Sequence, residues 1–458
     1  MRFRQKPGNG SSSMRNWIRL MVLSVLISSL HISIYAAESE KFSVGAAKVD
    51  ITPSAQDLPK PYGSVFQHIY ARVIAVDNGK SRAILASVDV STLSEDFPAR
   101  FTQRIAREAG IAPEHVLLAQ THAHDSIMVG EAGPGMPMAH TPAFDAKVEA
   151  ALAEGVQQAI KNLQPARIGF GRGRSYINTN RMQWDPEQMR YVVGADRSGL
   201  LPTDKTVNVV SFETTAGKPI ALLANYSLMP IAHLRDGREG SNQRLGGDVP
   251  DATSLYLEKA MGNDAVAIMT MAGENQHPIY QIDKQAHDAV ERSEELTLAY
   301  GVMLGEEILA VSRDIKTRMT EGPIYTASNS ATCPGKTTTP KTAPGPCTDT
   351  ANGTIPQCAY KEQDTPPVTF KMGLLMLGNI AIDGMWEIVD ATIIQRIEAA
   401  SPYANTFVIS RFMGPAGYLV HDEGYETVTF DSINTHLKAG CGEQAAIKGF
   451  LDMLPATQ

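Results

Sequence analysis

Many familiar catalytic signatures are missing from this 458-residue chain. It has no GxSxG nucleophile elbow, no HExxH pair, no Walker loop and no GxGxxG turn. Serine-hydrolase, nucleotide and redox chemistries therefore lose their usual sequence support. Gly169-Phe170-Gly171-Arg172-Gly173 is glycine-rich but wrongly spaced for a dinucleotide. There is no long basic block, and the formal net charge of -8 argues against nucleic-acid binding. Beyond the N-terminal region no stretch is long and apolar enough to cross a bilayer. No internal repeat is present, and no clean linker divides the chain. Cysteine is scarce: Cys333, Cys347, Cys358 and Cys441 all lie in the second half, without the short CxxC spacing of a zinc cluster. An even count in an exported chain favours disulfides. Three connectivities are open. Cys333 and Cys347 flank Pro334 to Pro346, a segment that a bridge between them would pin.

What is present begins with an N-terminal address. Arg2, Arg4, Lys6, Arg15 and Arg19 precede an apolar stretch, Leu20 to Tyr35, followed by Ala36 and Ala37. A basic region, a short apolar region and small residues at the cut form a secretory signal peptide, here residues 1–37, and imply an exported protein, periplasmic or secreted. Ser24, Ser28, Ser29, His31 and Ser33 interrupt the apolar run and make it a poor permanent span. The remainder, 38–458, has ordinary globular composition, with 43% hydrophobic and 20% charged residues in the full chain.

The expected elements alternate. Ala71 to Val76 and Ala83 to Val90 read as strands joined by the turn Asp77-Asn78-Gly79. Ala99 to Ala109 reads as a helix closed by Gly110, and Ala143 to Asn162 as a longer amphipathic one. Further strands are expected at Arg167 to Phe170, Val207 to Phe212, Ala221 to Tyr226, Ala265 to Met271, Phe370 to Leu377 and Ile380 to Ile382. Helices are expected at Ala252 to Ala260, Glu294 to Thr317 and Ile388 to Ala400. Residues 332–367 are rich in proline and lack periodicity, which predicts a long loop or lid. The pattern predicts an α/β fold, mixed β-sheets flanked by helices in one large domain.

Chemistry concentrates at strand exits. Thr121-His122-Ala123-His124-Asp125 ends the apolar run Val116 to Ala119. Residues i and i+2 of a strand share a face, so His122 and His124 project together, as two metal ligands or as a ligand beside a proton-transfer group. Asn225-Tyr226-Ser227-Leu228-Met229-Pro230, Gly246-Gly247-Asp248, Ala272-Gly273-Glu274-Asn275-Gln276-His277-Pro278 and Asp383-Gly384-Met385-Trp386-Glu387 repeat the pattern of polar or small groups beside an apolar run. Asp248 reads as a cap for a helix starting near Asp251.

Taken in order, these motifs resemble the neutral/alkaline (non-lysosomal) ceramidase family over roughly residues 41 to 430. Val44 to Pro53 is similar to its opening strand and turn, and Thr121-His122-Ala123-His124 to its Thr-His-Thr-His signature. Asn178-Thr179-Asn180-Arg181, Met385-Trp386-Glu387, Gly417-Tyr418 and Tyr425-Glu426 resemble its later motifs. The resemblance implies a zinc-dependent amidohydrolase cleaving the N-acyl amide of ceramide or a related lipid, with contact to a membrane surface at its periphery. It implies His122, Glu387 and Tyr418 as zinc ligands, with His124, Arg181 and Tyr425 as catalytic residues around the reacting amide. The chain departs from the family where an Asn-Tyr-x-x-His-Pro motif places the second zinc histidine: Met229 stands there, and a thioether is a poor zinc ligand. His233, four residues downstream, is the preferred replacement and His277 the other. The family's C-terminal immunoglobulin-like domain is not expected in this chain. A non-catalytic binding relative and another metal-dependent hydrolase remain as alternatives.

Overall fold

Asp77-Asn78-Gly79 folds as its side chains dictate. The Asp77 carboxylate accepts from the Gly79 amide at 2.7 Å, and the Asn78 carbonyl oxygen from Lys80 and Ser81 at 3.0 and 2.8 Å. Gly79 takes φ 81°, a conformation cheap only for glycine. The computed structural model describes residues 1, 40–131, 139–187, 189–233, 243–262, 264–282, 288–339, 361–414, 417–427 and 429–456. The signal-peptide reading of 1–37 lies, apart from Met1, outside the described residues.

The first sheet contains β1 (Ser43–Asp50), β2 (Tyr70–Asp77), β3 (Arg82–Val88), β4 (Val116–Gln120), β5 (Gln164–Arg174), β6 (Thr206–Thr214), β7 (Pro219–Tyr226) and β8 (Val266–Met271). They lie in the order β8-β7-β6-β5-β1-β2-β3-β4, and the short strand Arg318–Met319 joins β5. Most neighbours are antiparallel, but β3–β4 and β7–β8 are parallel. Helices α1 (Asp96–Ala109), α2 (Pro142–Lys161), α3 (Asp248–Met261) and α4 (Ala289–Asp314) cover its outer face. Gly110 closes α1 at φ 65°, as its position after the last periodic residue requires. Asp248 begins α3 rather than capping it from outside; Gly247 precedes the first turn.

The second sheet has β9 (Ile324–Thr339), β10 (Lys361–Leu377), β11 (Ile380–Met385) and β12 (Asn405–Ile409), with β11–β12 parallel. Helices α5 (Ala391–Ala400) and α7 (Gly442–Met453) pack on its outer face; the short α6 is Phe430–Asn434. Here the expected loop is corrected. Residues 332–339 and 361–367 belong to β9 and β10, paired antiparallel, and only 340–360 lie outside the described residues. Cys333 is bonded to Cys441, at the start of α7, and not to Cys347. Cys347 and Cys358 lie outside the described residues. The helix expected from Ile388 starts at Ala391, after a short strand Ile388–Val389. Among the described residues no immunoglobulin-like domain follows, and no helix is long and apolar enough to cross a membrane.

Inner faces of the two sheets meet in one apolar layer, in which Ile74, Leu85 and Leu117 face Leu375, Ile382, Phe407 and Phe412. The result is helices, sheet, sheet, helices, the mixed α/β arrangement expected. Ile382 is 1% exposed in this seam. Removing one methyl by Ile382→Val should lower stability by about 0.5–1.5 kcal/mol in denaturant unfolding; a neutral result would contradict the packing of the seam.

Candidate active site

In the second sheet the parallel neighbours β11 and β12 end at the same edge, and the segment that follows β12 meets the carboxyl ends of β4 and β8, which lie at opposite ends of the first sheet's strand order. Backbone hydrogen bonds stitch them. Ser410 donates to Met271 at 2.8 Å, Phe412 to Met385 at 2.9 Å, Met413 to Leu118 at 2.9 Å and Arg411 to Glu387 at 3.2 Å. The segment after β12 is thereby tied to the ends of β4, β8 and β11. Gly384 and Gly373 make room for Phe412, since a Cβ on either would lie 2.4 or 2.9 Å from its ring. His122 and Arg411 both adopt left-handed backbone, φ 57° and 54°. Non-glycine residues hold that conformation only where the surroundings over-determine it.

His122 is the hub. Its Nε2 accepts from Arg411 Nη1 at 2.9 Å, and its Nδ1 meets the Glu274 carboxylate. Arginine can only donate, so Nε2 is the acceptor and Nδ1 carries the proton toward Glu274. Arg411 Nη2 donates to Thr92 Oγ1 at 2.6 Å. Glu274, Tyr418 and Glu387 also act electrostatically on Arg411. Glu387 lies at the exit of β11, where Gly417 leaves it space: a Cβ on Gly417 would be 2.6 Å from Glu387 Oε2. Burial pushes Glu274 and Glu387 up to about 7, against the pull of Arg411 on both. Burial, then Arg411 and Arg181, holds His122 well below the ordinary histidine range, as a neutral ring. The His124 ring is 4.6 Å from that of His122.

Arg181 closes one side. Its backbone amide donates to the Asn275 carbonyl at 3.0 Å, and its Nε to Asp431 at 3.2 Å. Its guanidinium lies 5.3 and 5.1 Å from the Tyr418 and Phe430 rings and hydrogen-bonds Tyr418. Burial lowers its proton affinity. His277 lies alongside, with Nδ1 donating to the Gly194 carbonyl at 2.7 Å; burial, then Arg181, holds it down to about 3.

The expected residues thus divide. His122, His124, Glu387, Tyr418 and Arg181 belong to one neighbourhood. Tyr425 spends its hydroxyl on the Leu437 carbonyl at 3.1 Å, with Lys336 5.2 Å over its ring. His233 has a separate set of partners: Asp125 at 2.5 Å, Asp248 through its backbone amide at 3.0 Å, and the Phe66 ring at 4.8 Å. Arg411, Glu274 and Asp431 carry much of the geometry; Glu274 lies in the strand-exit motif Ala272 to Pro278 without being singled out there, and Arg411 and Asp431 lie in no motif named from the sequence. Arg411 does follow the apolar run Phe407-Val408-Ile409, so the strand-exit pattern applied to β12 would have found it.

A zinc ion at this centre needs a free lone pair on His122 and more donors around it. Both ring nitrogens of His122 are engaged. Met229, where the second histidine was expected, is buried. Among the described residues no three His, Cys, Asp or Glu side chains are grouped to hold a metal. The side chains as placed do not fit zinc.

The fold is shared with solved structures. Neutral ceramidase from Pseudomonas aeruginosa matches with TM-score 0.68 and 16% identity, over 90% of this chain and 74% of that one. A ceramidase complexed with C2 matches with TM-score 0.70 and 15% identity, over the same shares. No family model and no curated protein matches the sequence.

Proposed function

We propose that this chain is an exported hydrolase that cleaves the N-acyl amide of ceramide or a related lipid, or the corresponding ester. The observation that carries it is the pair of guanidinium groups, Arg411 and Arg181, buried with Glu274 and Glu387 beside the half-buried Tyr418 at the strand ends of a ceramidase fold. Water is the second substrate; the products are a carboxylic acid with an amine from the amide, or with an alcohol from the ester. Arg411 and Arg181 offer fixed positive charge to the carbonyl oxygen as it becomes an oxyanion. Glu274 and Glu387 are the carboxylates near enough to that charge to take the proton of the attacking water. The zinc-activated water that the family resemblance implies is not carried over, because His122 has no free lone pair to hold the ion.

Export rests on the basic and apolar N-terminus and accords with the Cys333–Cys441 bridge, since such bridges persist in oxidising compartments. Secretion of the full chain from a host, with N-terminal sequencing of the product, tests it: an uncut cytoplasmic product would refute export.

Hydrolysis is tested with a panel of N-acyl sphingosines and matching esters. Turnover by the wild type is expected, and Arg181→Ala should lower kcat by about 10²–10³-fold, the usual effect of losing one oxyanion donor. A second reading, a non-catalytic lipid-binding relative, is favoured by Met229 and by the guanidinium against His122. Saturable binding of an N-acyl sphingosine with no turnover on any panel member would select it.

A further inference from the structure

The geometry points to Arg411 as a built-in cation that takes the place of a metal at this centre, so that the wild-type chain holds no zinc on His122. The inference concerns the same site as the hydrolase reading but not its turnover, and it is read from metal content alone.

Three observations converge on it. First, His122 Nε2, the atom that would face an ion, is 2.9 Å from Arg411 Nη1 and accepts a hydrogen bond from it. The other ring nitrogen carries its proton toward Glu274, so the one lone pair of the neutral ring is already taken. Second, the guanidinium is fixed rather than mobile. Its second terminal nitrogen donates to Thr92 at 2.6 Å, its residue is 5% exposed, and its left-handed backbone is held between amides bonded to Met271 and Met385. Third, the remaining donors are those a cation would gather. Glu274, Glu387 and Tyr418 act on Arg411, while position 229 carries methionine. Met229 is placed beside the centre: its amide donates to Gln276 at 2.6 Å, and the carbonyl of Pro230 accepts from His124 at 3.2 Å.

Charge explains why the two changes belong together. Buried carboxylates need a cation close by, because an uncompensated buried charge is strongly destabilising. A metal meets that need from solution; Arg411 meets it from the chain. With the guanidinium covering His122, an imidazole at 229 would offer an ion its own lone pair but no second histidine beside it. A guanidinium also differs chemically, since it polarises an oxygen only by donating hydrogen bonds and offers no open coordination position.

The test is zinc per chain, measured by plasma mass spectrometry after incubation with zinc chloride and dialysis against metal-free buffer. Wild type should retain none. Met229→His alone should also retain none, because Arg411 still covers His122. Arg411→Ala with Met229→His should retain about one zinc per chain, lost again on adding His122→Ala. Zinc should also raise the melting temperature of that double variant and not of wild type, as binding to the native state requires. A stoichiometric zinc in wild type that disappears in His122→Ala overturns the proposal, whatever the double variant does. So does a double variant with native circular dichroism that takes up no zinc. If the double variant fails to fold, wild-type zinc content with and without His122 still decides. Absence of lipid hydrolysis leaves all of these readouts unchanged.

Discussion

Arg72→Met is expected to destabilise the fold by about 3–5 kcal/mol, the cost of breaking a buried ion pair by removing one partner. Arg72 lies mid-strand in β2 and is 2% exposed. Its three nitrogens serve three carboxylates: Nη1 to Asp89 at 2.5 Å, Nη2 to Asp251 at 2.8 Å and Nε to Glu258 at 2.9 Å. Asp89 follows β3, and the other two lie on α3, so one side chain ties adjacent strands to a helix far away in sequence. Methionine keeps most of the apolar stem but leaves these acids facing one another, with Lys48 on Glu258 at 2.5 Å and the amides of Ala267 and Tyr70 on Glu258 and Asp89 in place of the guanidinium's charge. Burial already pushes Asp251 well above the carboxylate range and raises Asp89. Denaturant unfolding should show a lower midpoint at unchanged m-value. Arg104→Met is the control. Arg104 also contacts two carboxylates, Glu108 and Glu149, but its side chain is 38% exposed, so it should cost at most about 1 kcal/mol. Equal effects from the two variants would show that the Arg72 network does not tie the fold together.

Local chemistry made much of this architecture legible. The hairpin at Asp77-Asn78-Gly79, the glycine stop of α1 and the amphipathic α2 each depend on neighbours a few residues away. The expected loop at 332–367 failed for an instructive reason. Pro334, Pro366 and Pro367 cannot donate to a ladder, and proline in a run argues against strand. The register jumps from Cys333 opposite Val368 to Gly335 opposite Thr365, so all three prolines fall in one irregularity between two regular stretches. A bulge absorbs an unpaired residue without ending the strands, and nothing in composition announces it. The site divides along the same line. His122 and Glu387 are visible in strand-exit motifs, and Tyr418 and Arg181 through the motifs that carry the family resemblance. His233 was preferred only for being four residues from Met229, and that offset carries no information on direction; the chain turns it to Asp125 and Asp248. Arg411 follows the apolar run of β12 and so carries a local mark, but its meeting with His122 depends on β4, β8, β11 and β12 ending at one place, a long-range fact that no window of sequence contains.

Replacing both Cys333 and Cys441 with serine should destabilise the protein by about 4–5 kcal/mol if the loss acts through chain entropy alone. The bridge closes 108 residues of sequence, and the entropy released by opening a loop grows with the logarithm of its length. Strand β9 and helix α7 are otherwise joined by modest contacts. Asn329 donates to the Gly449 carbonyl at 3.2 Å and Tyr325 to that of Met453 at 3.2 Å, while Gly449 lies against Met372 of the neighbouring β10. These should keep the serine variant folded at low temperature, while unfolding becomes easier because the open chain has more conformations. Most of the effect is therefore expected in the unfolded state, and the native near-ultraviolet spectrum should be unchanged. Thermal unfolding of wild type with and without reductant gives the same comparison without mutation. Peptide mapping under non-reducing conditions should return Cys333 joined to Cys441. A bridge from Cys333 to Cys347 instead would close a short loop, confine the loss to about 3 kcal/mol and leave α7 free of any covalent tie to β9.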